Sequence, residues 1–394
     1  MLWRKPMKNK HDVVVIGAGP SGSTAARFAS EGGCDVLLIE RKRDIGIPVR
    51  CAEGVSEEPL KEFIQPHPSF IRNYIREIRL FPPNDIYVLL APVNKGYILD
   101  RRVFDRELAK LAVRAGTDLK TSCMGQSAKR CDDGTVNVSM LFKGEKISVN
   151  CKIIIGADGV ESRVGRWLGL KTVTALRNTE GALQYVLTHP EIDKRYCDFY
   201  FGKDVAPGGY LWVFPGDDNV ASVGLGCAGN AIKGKTLRVL LDTFVESKYP
   251  GAKILSEVAG GIPVQATLKE ITIDNMMLSG DAARQVNPMT GAGIINGMIG
   301  GKLAGQTAAE AIKKGDWTKE GLKDYPAMWH ERIGKDHERF YKIKEVVNKF
   351  SDDTFNKISD SMNSLPGEDR TLKRVFMTAL VKHPSLLMEL RHLL

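Results

Sequence analysis

HDVVVIGAGPSGSTAARFASEGG, His11–Gly33, runs from an apolar segment through three glycines into a stretch of small residues. Val13–Ile16 reads as a buried strand, Ser21–Glu31 as a helix, and Gly32-Gly33 as its stop. Between them Gly17-Ala18-Gly19-Pro20-Ser21-Gly22 fits G-x-G-x-x-G. Each glycine answers a physical need, namely a tight turn, room for a pyrophosphate against the backbone, and close packing of helix on strand. The helix N-terminus then faces the anion.

Asp35–Glu40, DVLLIE, follows as a second buried strand and completes a βαβ unit with a right-handed crossover. Glu40 closes it eighteen residues after Gly22, where a carboxylate accepts hydrogen bonds from a ribose 2′-hydroxyl and repels a 2′-phosphate. This order implies FAD or NAD at the turn, not NADP.

The chain has 394 residues, enough for two or three domains at roughly 100–200 residues each. Its 43% hydrophobic and 26% charged residues match a globular composition, and no segment reaches the roughly 18 uninterrupted apolar residues of a membrane span. The basic opening MLWRKPMKNK has no apolar signal core after it, which points to the cytoplasm. Seven cysteines without a CxxC pair argue against a disulfide framework and a structural zinc site. The net charge of +9 suits an anionic lipid surface or an acidic substrate, and equally a plain surface excess. No motif for nucleic acid accompanies it.

Residues 41–96 read as irregular and carry seven prolines. GYILD then predicts a strand, RRVFDRELAKLAVRAG a helix stopped by Gly116, and CKIIIGADG another buried strand. From 180 to about 270, LQYVLTH, YCDFYFG, GYLWVFPG and VASVGLG alternate with period two and predict an antiparallel sheet. MMLSGDAARQVNPMTGAGIINGMIGGKLAGQTAAEAI returns to a strand, a loop and a small-residue helix, and helices fill the chain after about 317. The expected division is a basic tail (1–10), a nucleotide lobe in two parts (11–175 and 271–316), a β-rich substrate lobe (176–270) and a helical C-terminal region (317–394).

Three motifs in order resemble the FAD enzymes of the glutathione reductase and hydroxybenzoate hydroxylase type: the opening turn, GADGVESRVGR (Gly156–Arg166) with Asp158, and LSGDAA (Leu278–Ala283). The resemblance implies an α/β fold with a Rossmann-like FAD-binding lobe and non-covalent FAD, with Gly280-Asp281 placing Asp281 on the ribityl chain. TGAGI, with Gly291, Gly293 and Ile294, would open a helix toward the flavin pyrimidine edge, where a positive helix end stabilises the anion of reduced flavin. No second G-x-G-x-x-G follows a strand, so a dedicated NADPH domain is not expected. Electrons would come from an external donor such as a ferredoxin or NADPH.

Two further patterns resemble the geranylgeranyl reductase family across nearly the whole chain. PVRCAEG (Pro48–Gly54) is similar to its R-C-G-E-G segment, with Ala52 in place of a frequent glycine, and YLWVFP (Tyr210–Pro215) fits its Y-x-W-x-F-P. The resemblance implies saturation of geranylgeranyl double bonds in a prenylated lipid. It places Arg41, Arg50, Cys51, Ala52, Gly54 and Arg101 along the FAD, with Gly125 near the adenine. Tyr210, Trp212 and Phe214 alternate on one strand face and form an aromatic wall for an isoprenoid. Cys51, Tyr210 and Trp212 are the catalytic candidates; an isolated alkene needs a proton as well as a hydride, no His or Glu pair announces itself as the acid, and Cys51 is one candidate for it and water another. Open alternatives are a geranylgeranyl diphosphate or chlorophyll-type prenyl reductase, a flavin monooxygenase of the hydroxybenzoate hydroxylase type, and a non-catalytic isoprenoid binder. Leu386, Leu387, Leu390, Leu393 and Leu394 share a helical face, either for core packing or for peripheral contact with the membrane.

Overall fold

The computed structural model describes residues 8–91, 96–232, 234–371, 374–375 and 377–378. The C-terminal leucines of the proposed membrane face lie outside the described residues. Among those described, no helix is long and apolar enough to cross a membrane.

In chain order the opening unit comprises β1 (Lys10–Ile16), α1 (Pro20–Glu31) and β2 (Val36–Ile39). The next segment contains β3 (Gly54–Ser56), α2 (Glu57–Lys61), β4 (Ile71–Ile75), β5 (Glu77–Phe81), β6 (Val88–Leu89) and β7 (Gly96–Leu99). It is followed by α3 (Arg101–Arg114), β8 (Asp118–Lys120), β9 (Cys123–Arg130), β10 (Val136–Phe142), β11 (Glu145–Gly156) and α4 (Arg163–Trp167). The second lobe contributes β12 (Glu180–Thr188), β13 (Tyr196–Tyr200), β14 (Tyr210–Pro215), β15 (Val220–Ala228), α5 (Leu237–Lys248) and β16 (Lys253–Ile262). The return is made by β17 (Thr272–Ile273), β18 (Met276–Leu278), α6 (Ile294–Lys314), α7 (Asp324–Trp329), α8 (Lys335–Val347) and α9 (Asp352–Asn363).

The first sheet runs β17-β18-β11-β1-β2-β8, with β10 and β9 attached beyond β11. β1 lies parallel between β2 and β11, Val13 opposite Val36 on one side and Ile153 on the other. Such central strands are buried on both faces, which is why VVVI, VLLI and IIIG read as unbroken apolar runs. α6 packs on α1 through glycines four residues apart: a methyl at Gly301 would stand 2.2 Å from Ser21 O, and one at Gly305 2.4 Å from Ala25 O. Two helices approach this closely only where the contact stripe has no side chains.

The second sheet runs β16-β12-β15-β14-β13-β5-β6. Leu211 and Val213 of β14 join Leu183, Val223, Leu225 and Leu240 in a core beneath α5. Tyr210, Trp212 and Phe214 occupy the opposite face.

Two expectations are corrected. Residues 41–96 are not irregular, because β3, β7 and β4 form a small sheet and β5 and β6 extend the second lobe, β5 lying parallel to β13 with Leu80 opposite Phe199. That lobe therefore does not begin at 176. Arg79 clamps the strand pair from the other face by two 2.7 Å bonds to Asp198. The basic tail also ends earlier than residue 10, since Lys10 already pairs with Asn150 in β1.

Candidate active site

At the carboxyl ends of β1 and β11 the chain makes its turns with backbone atoms. Gly17 has φ +103° and donates from its N–H to Ile39 O at 2.8 Å. A methyl at Gly22 would lie 1.8 Å from Gly17 O, so helix and turn close only over glycine. Beside Gly19 the same methyl would find nothing within 4 Å, leaving an open approach to the helix end. Pro20 starts α1 where a missing N–H costs nothing. Glu40 is not a loose surface acid: its Oε2 accepts from Ala18 N at 2.9 Å and its Oε1 from Lys42 N at 2.9 Å. Arg41 is exposed and paired with Glu161.

Asp158 caps the start of α4, Oδ2 accepting from the N–H groups of Arg163 and Val164 at 2.5 and 3.1 Å. Its Oδ1 is buried without a hydrogen-bond partner. Burial holds this carboxyl above the usual range, with the two backbone donors opposing. Ser162 Oγ ties this turn to Ala282 O at 2.8 Å, and Ser21 Oγ ties α1 to Ser279 Oγ at 2.8 Å. Asp281 lies deep in the same cleft, its pKa raised by desolvation and pulled back by Arg101. Gly280, at φ +67°, lets this loop turn against Ser21.

These residues fit a dinucleotide. The open space at Gly19, the unpartnered Asp158 oxygen and the desolvated Asp281 converge where a pyrophosphate and a polyol chain would supply the missing partners.

The second half of the site joins PVRCAEG to YLWVFP through a residue that the sequence reading missed. Trp212 Nε1 donates to Gln184 Oε1 at 3.2 Å, and Gln184 Nε2 donates to Cys51 O at 3.1 Å. Gly54 lies under Phe214, whose ring would stand 3.0 Å from an added methyl. Cys51 Sγ accepts from Glu53 N at 3.2 Å, and desolvation pushes the thiol up while the neighbouring Arg101 guanidinium pulls it down. Cys51 is a thiol, not a thiolate, at neutral pH. Arg101 is held by Asp105 at 2.6 and 2.8 Å, and its N–H donates to Glu53. Glu53, the acid of the PVRCAEG stretch but not among the expected site residues, is buried at φ +71° and also faces Arg72 at 3.5 Å.

Tyr210 OH donates to Thr290 O at 2.5 Å and so joins the wall to TGAGI. The ring centroids of Tyr210 and Trp212 are 5.9 Å apart, and Phe199 lies 5.5 Å from Tyr210 and 5.3 Å from Phe214. Phe201 bridges the wall to the C-terminal helices by stacking on Phe355 at 5.7 Å. Phe199, Phe201 and Phe355 belong to this aromatic surface although their own segments read only as strand or helix.

Arg50 is exposed, with its Cδ over Gly260 of β16. Ala52 is half-buried between Cys51 and Glu53. The space beside Gly125 is taken by Ile16 and Trp167, each 3.2 Å from where a methyl would stand. Gln285 was also missed: fully buried, it accepts from Gly280 N at 2.7 Å and donates to Tyr325 OH at 2.9 Å, which fixes the Gly280-Asp281 turn from behind.

Comparison with known proteins agrees with both halves. Residues 178–262 match the geranylgeranyl reductase catalytic domain, and 15–57 match an NAD(P)-binding Rossmann-like domain. The digeranylgeranylglycerophospholipid reductase of Methanocella arvoryzae is 40% identical over 388 residues, 98% of this chain and 99% of that protein. Its counterpart from Methanothermobacter thermautotrophicus is 42% identical over 386 residues, 95% of each. A crystal structure of a geranylgeranyl bacteriochlorophyll reductase-like protein from Thermoplasma acidophilum superposes with a TM-score of 0.92 at 36% identity, covering 98% of this chain and 100% of that one. A flavin-dependent brominase shares the fold alone, with a TM-score of 0.73 at 16% identity over 95% of this chain and 100% of that one. With a Rossmann turn at one side of the cleft, an aromatic sheet face at the other and full-length likeness at this level, the chain belongs to the digeranylgeranylglycerophospholipid reductase family.

Proposed function

We propose that this protein binds FAD and saturates geranylgeranyl double bonds in membrane diether lipid precursors. One observation carries the reading: the aromatic face of the second sheet is bonded to both cofactor-side loops, through Trp212–Gln184–Cys51 and through Tyr210–Thr290. A surface with only apolar area to offer thus meets the nucleotide cleft, and an isoprenoid gains roughly 25 cal/mol per Å² of apolar surface it buries there.

Gly17, Ala18, Gly19, Pro20, Ser21 and Gly22 hold the pyrophosphate, Glu40 a ribose, and Asp158 and Asp281 the polar chain between the rings. Gly291, Gly293 and Ile294 present the N-terminus of α6. The bound flavin, reduced by an external donor such as a ferredoxin or NADPH, supplies a hydride. Tyr210, Trp212 and Phe214 orient the prenyl chain and exclude water, while Cys51, a neutral thiol beside Arg101, lines the reacting end. The enzyme works at the cytoplasmic membrane surface, where its lipid substrate resides.

Anaerobic mixing of the reduced flavoprotein with digeranylgeranylglyceryl phosphate tests this. The expected result is reoxidation of the flavin together with lipid masses rising in steps of two hydrogens. Oxygen consumption with a hydroxylated product would replace the reductase reading by a monooxygenase.

A further inference from the structure

Glu180 opens β12 at 7% exposure, yet among the described residues no donor bonds its carboxyl. Its register fixes where it points. Glu180, Ala182 and Gln184 share one face of β12, and Gln184 on that face reaches both Trp212 and the Cys51 loop. The row beside it runs Gly260, Ala182, Gly226, Tyr210, three small residues ending at the tyrosine that bonds Thr290. Over that floor of small residues, a methyl at Gly226 would stand 3.0 Å from Glu180 Oε2 and 3.9 Å from the Trp212 ring. Opposite Glu180 on β16 is Ile262, which would lie 3.9 Å from a methyl at Gly291. The carboxyl therefore lies between the aromatic wall and the loop that opens α6.

Resting on the reductase reading above, we propose that Glu180 is the acid that delivers the proton to the prenyl double bond. One alkene carbon receives the hydride from the reduced cofactor. The electron pair of the double bond takes the Glu180 proton onto the other carbon, the O–H bond breaks, and a carboxylate remains that regains its proton from water. The alkene is reduced by two electrons and the cofactor is oxidised by two.

The surroundings suit proton delivery. The titratable groups facing Glu180 are Lys344 from α8, Tyr210 from β14 and, past Tyr210, Cys51, while Cys227 of β15 lies on the opposite face of the sheet. Lys344 is turned toward Val264 O at 2.6 Å and shows no ion pair with Glu180, so the acid is not fixed as a carboxylate by a direct cation. Burial raises the Glu180 pKa to about 7, Lys344 opposing. A carboxylic acid poised there gives up a proton far more readily than the desolvated thiol of Cys51.

The test uses FAD-loaded enzyme and the variants Glu180→Gln, Glu180→Asp and Cys51→Ala. The infrared difference between wild type and Glu180→Gln should contain the carbonyl stretch of a protonated carboxylic acid at pH 6, and it should fade as the pH rises past 7. In anaerobic single turnover with digeranylgeranylglyceryl phosphate, Glu180→Gln should keep its flavin spectrum but reoxidise about a hundredfold more slowly. It should also lose the decline of rate through pH 7 that wild type shows. Glu180→Asp should recover part of the rate, and Cys51→Ala, at whatever rate it turns over, should keep the decline through pH 7. Absence of the carbonyl band overturns the proposal whatever reaction the enzyme performs, and so does a Glu180→Gln enzyme with wild-type rate and pH profile. A wild-type enzyme that the lipid fails to reoxidise defeats the reductase reading itself, and with it the proton transfer.

Discussion

At the first sheet the cleft is built from backbone, and at the second from side chains. Gly17 and Gly22 close the turn tightly on the helix and Gly19 leaves open space at its end, with Glu40 bonding the turn from the next strand. Across the cleft, Trp212, Tyr210, Phe199 and Phe214 assemble from two strands into a surface that has no polar pattern to recognise. A charged, rigid group such as a pyrophosphate is met by fixed dipoles, whereas a flexible apolar chain is met by area. The first kind of site tolerates no added atom; the second tolerates exchange of shape at graded cost.

Gly22→Ala strikes this contrast hardest. Its methyl must displace Gly17 O, so flavin bound per chain, read by absorbance, should fall more than about tenfold, with a lower melting temperature. Gly19→Ala separates the two effects. Its methyl meets nothing in the protein, so melting of the flavin-free protein should match wild type while flavin affinity drops.

On the second sheet, Trp212→Ala should lose about 3–5 kcal/mol in urea unfolding, because a side chain with 5% exposure leaves a cavity. Flavin content should stay near one per chain and the KM for the prenyl lipid should rise. If flavin is lost instead, the two halves of the cleft are not separable in this way.

Glu180 predicts a pH dependence. Its folded pKa of about 7 lies above the ordinary value of 4.5, so the folded state holds a proton that the unfolded state has released across that window. Stability from this group is present below pH 4.5 and is lost as the pH rises through 7, by on the order of 3 kcal/mol. Urea unfolding of Glu180→Gln should lack that decline.

Gln184→Leu has the smallest effect of these, about 1–3 kcal/mol from an unpaired Trp212 N–H and Cys51 carbonyl. Hydrogen exchange should quicken around residues 50–53 and leave 17–22 unchanged.

The nucleotide half was largely legible because its requirements are local. A turn at φ +103° beside a helix start needs glycine whatever surrounds it, so Gly17–Gly22, Glu40 and the Gly280-Asp281 pair can be read in place. Asp158 was legible as a motif, but its cap on α4 and its free oxygen were not. β5 and β6 were hidden because EIRLF is short, followed directly by Pro82-Pro83 and stabilised by a strand more than a hundred residues away. Gln184, Gln285 and Glu180 carry no pattern of their own. Each is an ordinary polar residue made significant by burial.

Short stretches of chain were enough to specify the βαβ turn and the alternation that puts Tyr210, Trp212 and Phe214 on one strand face. Those follow from steric limits and periodicities acting within a few residues. Three features emerged only on packing: which face of the second sheet meets the cleft, the Gln184 link from the aromatic wall to the Cys51 loop, and the desolvated seat of Glu180 between Trp212 and the start of α6. Register between distant strands and exclusion of water are collective properties, set when the sheets come together and absent from any local segment.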